Sequence, residues 1–398
     1  MSYRKLRAAQ LFTGNQLLDN SYVLILDELG IIEAIVPVDE AGPDIEQFEG
    51  ILTPGFINCH CHLELSHMKD LVPENTGMID FILSIFKQRH SSEELIYLAI
   101  EKAESEMVLN GIVAVGDICN TTHTLLQKKK GNLFYHNFLE VSGFSPSIAE
   151  ERFNAGVSNF NSFAQQYSIP VESNSIVPHA PYSVSPLLFN KLVNFPGNHL
   201  LTMHNQECID EDKLLMNKKG DFLRLYKELG IDLSFFEPSG FSSLQSILPY
   251  FKKNQTLILV HNVTTSKEDI NFLKSLDSSL QIPQVYFCLC ANANLYIGNP
   301  LPNVDLLLQS KYPIVLGTDS LASNHQLSIL EEMKTLQHYF PTIELEQLLQ
   351  WATLNGAKAL QLDEMLGSFE KGKKPGVLQI KNISDNKIGT NSMVQRII

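Results

Sequence analysis

The chain has 398 residues, 44% of them hydrophobic, with a formal net charge of −14 and a pI near 5.3. That length suits one large α/β barrel with an appendage, and the apolar content excludes global disorder. The acidic balance repels nucleic acid and anionic lipid, so neither is an expected partner and a small molecule is the expected ligand.

The N-terminus, "MSYRKLRAAQLFTG", lacks the apolar stretch of a signal peptide, and no later run reaches membrane-spanning length. A cytoplasmic protein is therefore expected. The first fifty residues read as short strands: "KLRAAQLFTG", "SYVLILDELG" and "IIEAIVPVD". From Pro54 the texture changes. Eight apolar runs follow: "GFINCHCH", "GIVAVGDIC", "LFYHNFLEVSG", "SNSIVPHAP", "HLLTMHNQE", "TLILVHNV", "QVYFCLCANA" and "YPIVLGTDS". Amphipathic stretches such as "SEELIYLAIEKAESEMVLNG" and "LSILEEMKTLQHYF" lie between them. Eight strands alternating with helices predict a parallel (β/α)₈ barrel of the TIM type over 54–365. The tail turns strand-like again, so residues 1–53 and 366–398 are expected to form one small β-sandwich from both chain ends.

Polar residues close the apolar runs: His60 and His62, Glu140, His179, His204, His261, Asn292 and Asp319. In a parallel barrel those ends share one face, where active sites are built. His60 and His62 leave a strand on the same side, either as a polar strand end or as two ligands of one divalent ion. His204 and His261 could each be a hydrogen-bonded structural histidine, and Asp319 a helix cap. Together, so many buried polar groups without a use would cost several kcal/mol. Glu207, three residues past His204, reads as a cap or as a general acid/base beside a metal-activated water. The six cysteines form no C-x-x-C pair, which excludes a zinc ribbon and the deaminases that use that signature.

These motifs resemble the amidohydrolase superfamily, in its aminohydrolase branch of cytosine, guanine and nucleoside deaminases and triazine hydrolases. "ILTPGFINCHCH", "HAPYSVSP", "HNQE", "LVHNV", "LCANANL" and "LGTDS" resemble the family's strand-end motifs in order, and "GSFEKGKKPGVLQI" its return into the small β domain. The resemblance implies His60, His62, His204 and Asp319 as ligands of one divalent metal, zinc or else Fe²⁺. It implies that His261 orients the water and stabilises the developing oxygen charge. Asp319 would accept the water's proton, and Glu207 would shuttle a proton to the leaving nitrogen. No strand-end lysine is present to be carbamylated, which disfavours a two-metal site. Cys59 and Cys61 alternate with the histidines and are expected in the barrel wall.

Glu64, His179, Glu140, Arg89 and Asn292 are the expected substrate contacts. "HLELSH" with "IDFILSIFKQR" resembles aminodeoxyfutalosine deaminases of menaquinone synthesis, whose substrate is an adenine nucleoside bearing a benzoate that Arg89 could grip. Alternatives are a methylthioadenosine/S-adenosylhomocysteine, guanine or cytosine deaminase, a chlorohydrolase or amidase on the same site, or a non-catalytic metal-binding barrel. Asn205-Gln206 departs from the usual fifth-strand pattern, as Ala291 and Ala293 do on the seventh. A homodimer is expected from the resemblance alone.

Overall fold

The computed structural model describes residues 3–165, 173–278 and 282–398. The eight expected barrel strands are present as two parallel four-stranded arcs. In chain order, strands one to four are Phe56–Cys61, Ile112–Cys119, Phe134–Val141 and Asn174–Pro178. Strands five to eight are Leu200–Asn205, Thr256–His261, Gln284–Leu289 and Ile314–Leu316. Helices cover their outer faces, so the strands are buried on both sides and read as continuous apolar runs.

The arcs meet at two seams. At one, Cys61 bridges to Asp319, and the His60 carbonyl accepts the N–H groups of Thr318 and Asp319 at 3.0 Å each. At the other, the His204 N–H donates to the His179 carbonyl at 3.0 Å. The residues that join the two halves are thus the polar strand-end residues themselves.

Helix starts follow ordinary capping chemistry. Ser92, Ser185 and Ser328 open the helices Glu93–Leu109, Pro186–Val193 and Ile329–Tyr339, each hydroxyl accepting a backbone N–H one turn in. Ser328, rather than Asp319, caps the helix after strand eight. One element differs from the sequence reading. "QVYFCLCANA" is a strand only to Leu289, and Ala291–Ile297 is a helix ending in left-handed Gly298. Alanine and leucine favour the helix once the chain has left the barrel wall, and glycine stops it. Asn292 and Asn294 therefore sit on a helix instead of at a strand end.

The chain ends form two further sheets. One contains Tyr3–Arg7, Tyr22–Asp27, Ile32–Pro37 and Glu46–Gln47. The other places Val377–Lys381 between Met393–Arg396 and Ile51–Pro54, and continues to Gln10–Phe12 and Leu17–Asp19. Leu6, Leu24 and Leu26 of the first share a core with Leu11, Leu52 and Val377 of the second. Among the described residues, no helix is long and apolar enough to cross a membrane.

Two glycines fix how strands reach the site. At Gly55 a side-chain carbon would lie 2.3 Å from Val113 Cγ1 and 2.6 Å from the Pro375 carbonyl, so the chain passes from sandwich to barrel only as glycine. At Gly317 it would lie 2.8 Å from His60 Cβ, 2.9 Å from Cys288 Sγ and 3.0 Å from Cys290 Sγ. Gly317→Ala should therefore cost about 1–3 kcal/mol in urea unfolding, by overpacking behind His60. An unchanged unfolding midpoint would mean that those neighbours yield freely.

Candidate metal centre

Strand one sends His60 and His62 to the same side, and strand five sends His204 to meet them. His62 Nε2 lies 3.2 Å from His60 Nε2 and 3.2 Å from His204 Nε2. From the seam, Asp319 Oδ1 reaches within 3.5 Å of His60 Nε2 and 3.4 Å of His62 Nε2. A tetrahedral zinc with bonds of about 2.0–2.1 Å needs donor atoms about 3.3–3.4 Å apart, so these four atoms match such a site in both chemistry and spacing. All four residues are buried.

Two of the four donors are oriented from behind, whereas His60 Nδ1 is buried with no hydrogen-bond partner among the described residues. The Nδ1–H of His204 donates to the His179 carbonyl at 2.9 Å, leaving the Nε2 lone pair facing inward. Ser323 donates to Asp319 Oδ2 at 2.6 Å. The Nδ1–H of His261 donates to Asn294 Oδ1 at 2.9 Å, so its buried Nε2 carries a lone pair with no hydrogen-bond partner. That tautomer makes His261 an acceptor toward the cavity. Stabilising a developing oxygen charge would need a proton on Nε2, so the geometry favours orientation of an incoming water instead. Asp319 and His261 both hold positive φ, 57° and 75°, the kind of backbone strain that collects at functional sites.

Burial, with His60 alongside, outweighs the pull of Asp319 and lowers His62 to about 4. Burial likewise lowers His261 to about 4 and pushes His204 well down. The imidazoles are thus neutral at pH 7, as metal ligands must be. Glu207 lies just past strand five, 3% exposed, with Oε1 3.4 Å from His261 Nε2. Burial, then the charges of Asp319 and Glu211, pushes its carboxyl well above the usual range. Burial thus favours its protonated form.

The other expected residues form an arc along strands one to four. Glu64 is held by the Asn120 N–H (3.1 Å), the Thr121 N–H (2.9 Å) and the Thr121 hydroxyl (2.7 Å), and burial raises it to about 7. Its oxygens are committed to the loop after strand two, so it braces the pocket wall. Glu140 accepts from Asn120 Nδ2 at 3.0 Å and lies 3.5 Å from His204 Nδ1. His179 pairs its Nδ1 with the Ser183 hydroxyl at 2.6 Å, and its ring stands 4.8 Å from that of His204. Arg89 ends the helix Met78–Gln88 close enough for its charge to pull on Glu64. Asn292 is not brought to this arc. Its side chain accepts from Thr335 and its N–H donates to Glu332, because its place on the helix turns it toward Ile329–Tyr339.

Sequence reasoning missed a buried pair behind His62. Lys128 Nζ lies 2.5 Å from Asp117 Oδ2, and Asp117 Oδ1 accepts the Leu63 N–H at 2.8 Å. Burial would lower Lys128, but Asp117 and Cys119 outweigh it and keep the ammonium charged. A charged amine is a poor carbamylation target, in keeping with a one-metal site. Asp117 breaks the apolar run "VAVGDIC" two residues before the strand ends, so a search for polar residues near strand ends could have found it.

The sequence profile of the amidohydrolase family matches residues 51–381. The chain belongs to that family. Amidohydrolases are metal-dependent, in keeping with the donor set described above. A Helicobacter pylori protein named adenosine deaminase is 28% identical over 333 residues, which cover 81% of this amidohydrolase and 77% of that protein. An aminodeoxyfutalosine deaminase of a Nitratiruptor species is 25% identical over 315 residues, 78% and 73% of the two chains. The crystal structure of Helicobacter pylori aminofutalosine deaminase with methylthio-coformycin shares the fold, with a TM-score of 0.78 at 23% identity over 96% and 93% of the chains.

The shifted groups set a pH optimum for stability. Buried His62 and His261 sit near 4 against an ordinary 6.5, so their penalty grows as pH falls from about 6.5 to 4. Buried Glu211 and Glu332 sit near 8 against 4.5, so theirs grows as pH rises from about 4.5 to 8. Chelator-treated protein should be most stable to urea between about pH 5 and 6, and weaker by at least ~1 kcal/mol at pH 7.5. A steady rise from pH 4.5 to 7.5 would contradict these assignments.

Proposed function

We propose that this hydrolytic deaminase takes the exocyclic amino group from a 6-aminopurine nucleoside, with aminodeoxyfutalosine as the leading substrate. The observation that carries the reading is a buried carboxyl, Glu207, 3.4 Å from His261 Nε2 beside the three-imidazole cluster, where burial favours its acid form. A chloride or amide hydrolysis needs no such acid to protonate a ring nitrogen. The names of the two sequence relatives support an adenine nucleoside.

His60, His62, His204 and Asp319 would hold one divalent ion. A donor set of three nitrogens and one carboxylate oxygen favours zinc, which would lower the pKa of a water and make it a nucleophile at neutral pH. The His261 Nε2 lone pair and Asp319 then orient that water toward the ring carbon bearing the amino group. As the water oxygen bonds to that carbon, Glu207 gives its proton to the adjacent ring nitrogen. Asp319 and the newly ionised Glu207 would then take up the water's two protons: one passes to the amino group and the other restores the acid form of Glu207. The C–N bond breaks, ammonia leaves, and a ring carbonyl remains.

Arg89 supports a substrate with a remote carboxylate. A second arginine, Arg224, lines a cavity of about 340 Å³ with Asp80, Cys208, Asp210 and Thr264. It is already committed to Asp80, Asp221 and Glu228. Among the described residues, no carboxylate pairs with Arg89, so its planar fork is free to grip a benzoate. The six cysteines, all free and buried, support a reducing cytoplasmic setting.

The zinc-loaded protein should release ammonia from aminodeoxyfutalosine with a higher kcat/KM than from adenosine, methylthioadenosine, guanine or cytosine. No ammonia from any 6-aminopurine nucleoside would overturn the reading. Glu207→Gln should lower kcat by about 10²–10⁴ with unchanged zinc content. Arg89→Met should raise KM for aminodeoxyfutalosine about ten- to hundredfold while leaving KM for adenosine in place. Equal effects on both substrates would remove Arg89 from the carboxylate.

A further inference from the structure

The turn that carries Glu207 into the cavity is built from groups with no part in holding a metal. Gln206 stands at φ 48°, in the left-handed region that a side chain other than glycine adopts at a cost. Its side chain is fully buried, and donors and acceptors surround it. The Thr265 hydroxyl donates to Gln206 Oε1 at 2.8 Å, while Gln206 Nε2 donates to Asp269 Oδ2 at 3.1 Å and faces Asp212 at 3.3 Å. Beneath the turn lies Glu211, 0% exposed. One of its oxygens accepts the Gln206 N–H at 2.8 Å and the Ser243 hydroxyl, and the other accepts the Glu207 N–H at 3.1 Å.

One carboxyl group thus collects both backbone N–H groups of the Gln206–Glu207 turn, at the step where the chain leaves strand five. No other acceptor is assigned to those two donors, and a buried unsatisfied N–H is expensive. Asp212, Asp269, Ser242 and Thr264 complete the cage. The Thr264 hydroxyl donates to Asp212 Oδ2 at 2.8 Å and Ser242 donates to Asp269. Thr264 and Thr265 follow His261 on strand six. The same cage therefore ties the exit of strand five to the exit of strand six, and Glu207 to His261.

We propose that Glu211, with the Gln206 amide, is a positioning residue that fixes the pose of Glu207 against the reacting ring. This inference rests on the proposed role of Glu207 as proton donor, which the panel assay tests separately in the unaltered protein. Proton transfer demands placement to within fractions of an ångström, whereas substrate grip does not depend on this turn. Loss of the clamp should therefore appear in kcat and spare KM.

The experiment compares the zinc-loaded protein with Glu211→Gln, whose amide offers one acceptor where two are needed. The substrate is whichever 6-aminopurine nucleoside the unaltered protein turns over. Expected are a kcat lower by about 10- to 100-fold, a KM within about threefold, and full zinc content by elemental analysis. An unchanged kcat, or a loss that tracks loss of zinc, overturns the proposal. Should Glu211→Gln fail to fold, Gln206→Gly decides, since glycine accepts the left-handed turn but deletes the amide's bonds to Thr265, Asp212 and Asp269. The same kcat-only loss supports the clamp, and full activity overturns it.

Discussion

Three imidazole nitrogens and a carboxylate oxygen point at one another from distances of 3.2–3.5 Å, and everything else around the barrel mouth serves that convergence. Lone pairs facing inward repel until a cation collects them, so the donors need support from behind. The His179 carbonyl holds His204, and Ser323 holds Asp319. The Asp117–Lys128 pair holds the backbone at Leu63, one residue beyond His62. Such a frame costs stability, since burial pushes His62 and His204 down and several carboxyls are buried with raised affinity for protons.

The two arcs divide the labour. Strands five to eight supply Glu207, His261 and Asp319, the groups that would move or hold protons. Strands one to four supply the Glu64–Asn120–Glu140 chain of hydrogen bonds and, beyond it, Arg89 and His179. The division is incomplete, because strand one carries His60 and His62 to the same centre and the His179 carbonyl holds His204.

The barrel was legible because parallel strands buried on both faces must be apolar throughout, which leaves their polar ends conspicuous. His60, His62, His204, His261 and Asp319 stood out for that reason, and the structure brings them together. Asn292 and Asn294 were harder to place. Strand seven ends two residues before the apolar run does, and a helix takes over, so Asn294 faces His261 while Asn292 turns to Thr335. Glu64 reads from sequence either as a substrate contact or as a brace for a ligand histidine, and the loop that binds its oxygens lies 56 residues further on and gives no local sign. Lys128 was invisible in the same way. A lysine in "LQKKK" reads as solvated until the fold shows Asp117 beneath it.

A strand far along the chain has an inner place in its sheet. Val377–Lys381 lies between Ile51–Pro54 and Met393–Arg396, and Ile51–Pro54 leads through Gly55 directly into the strand bearing His60 and His62. Without Val377–Lys381 in place, Ile51–Pro54 would present an open row of amides and carbonyls, an edge that another copy of the chain could pair with.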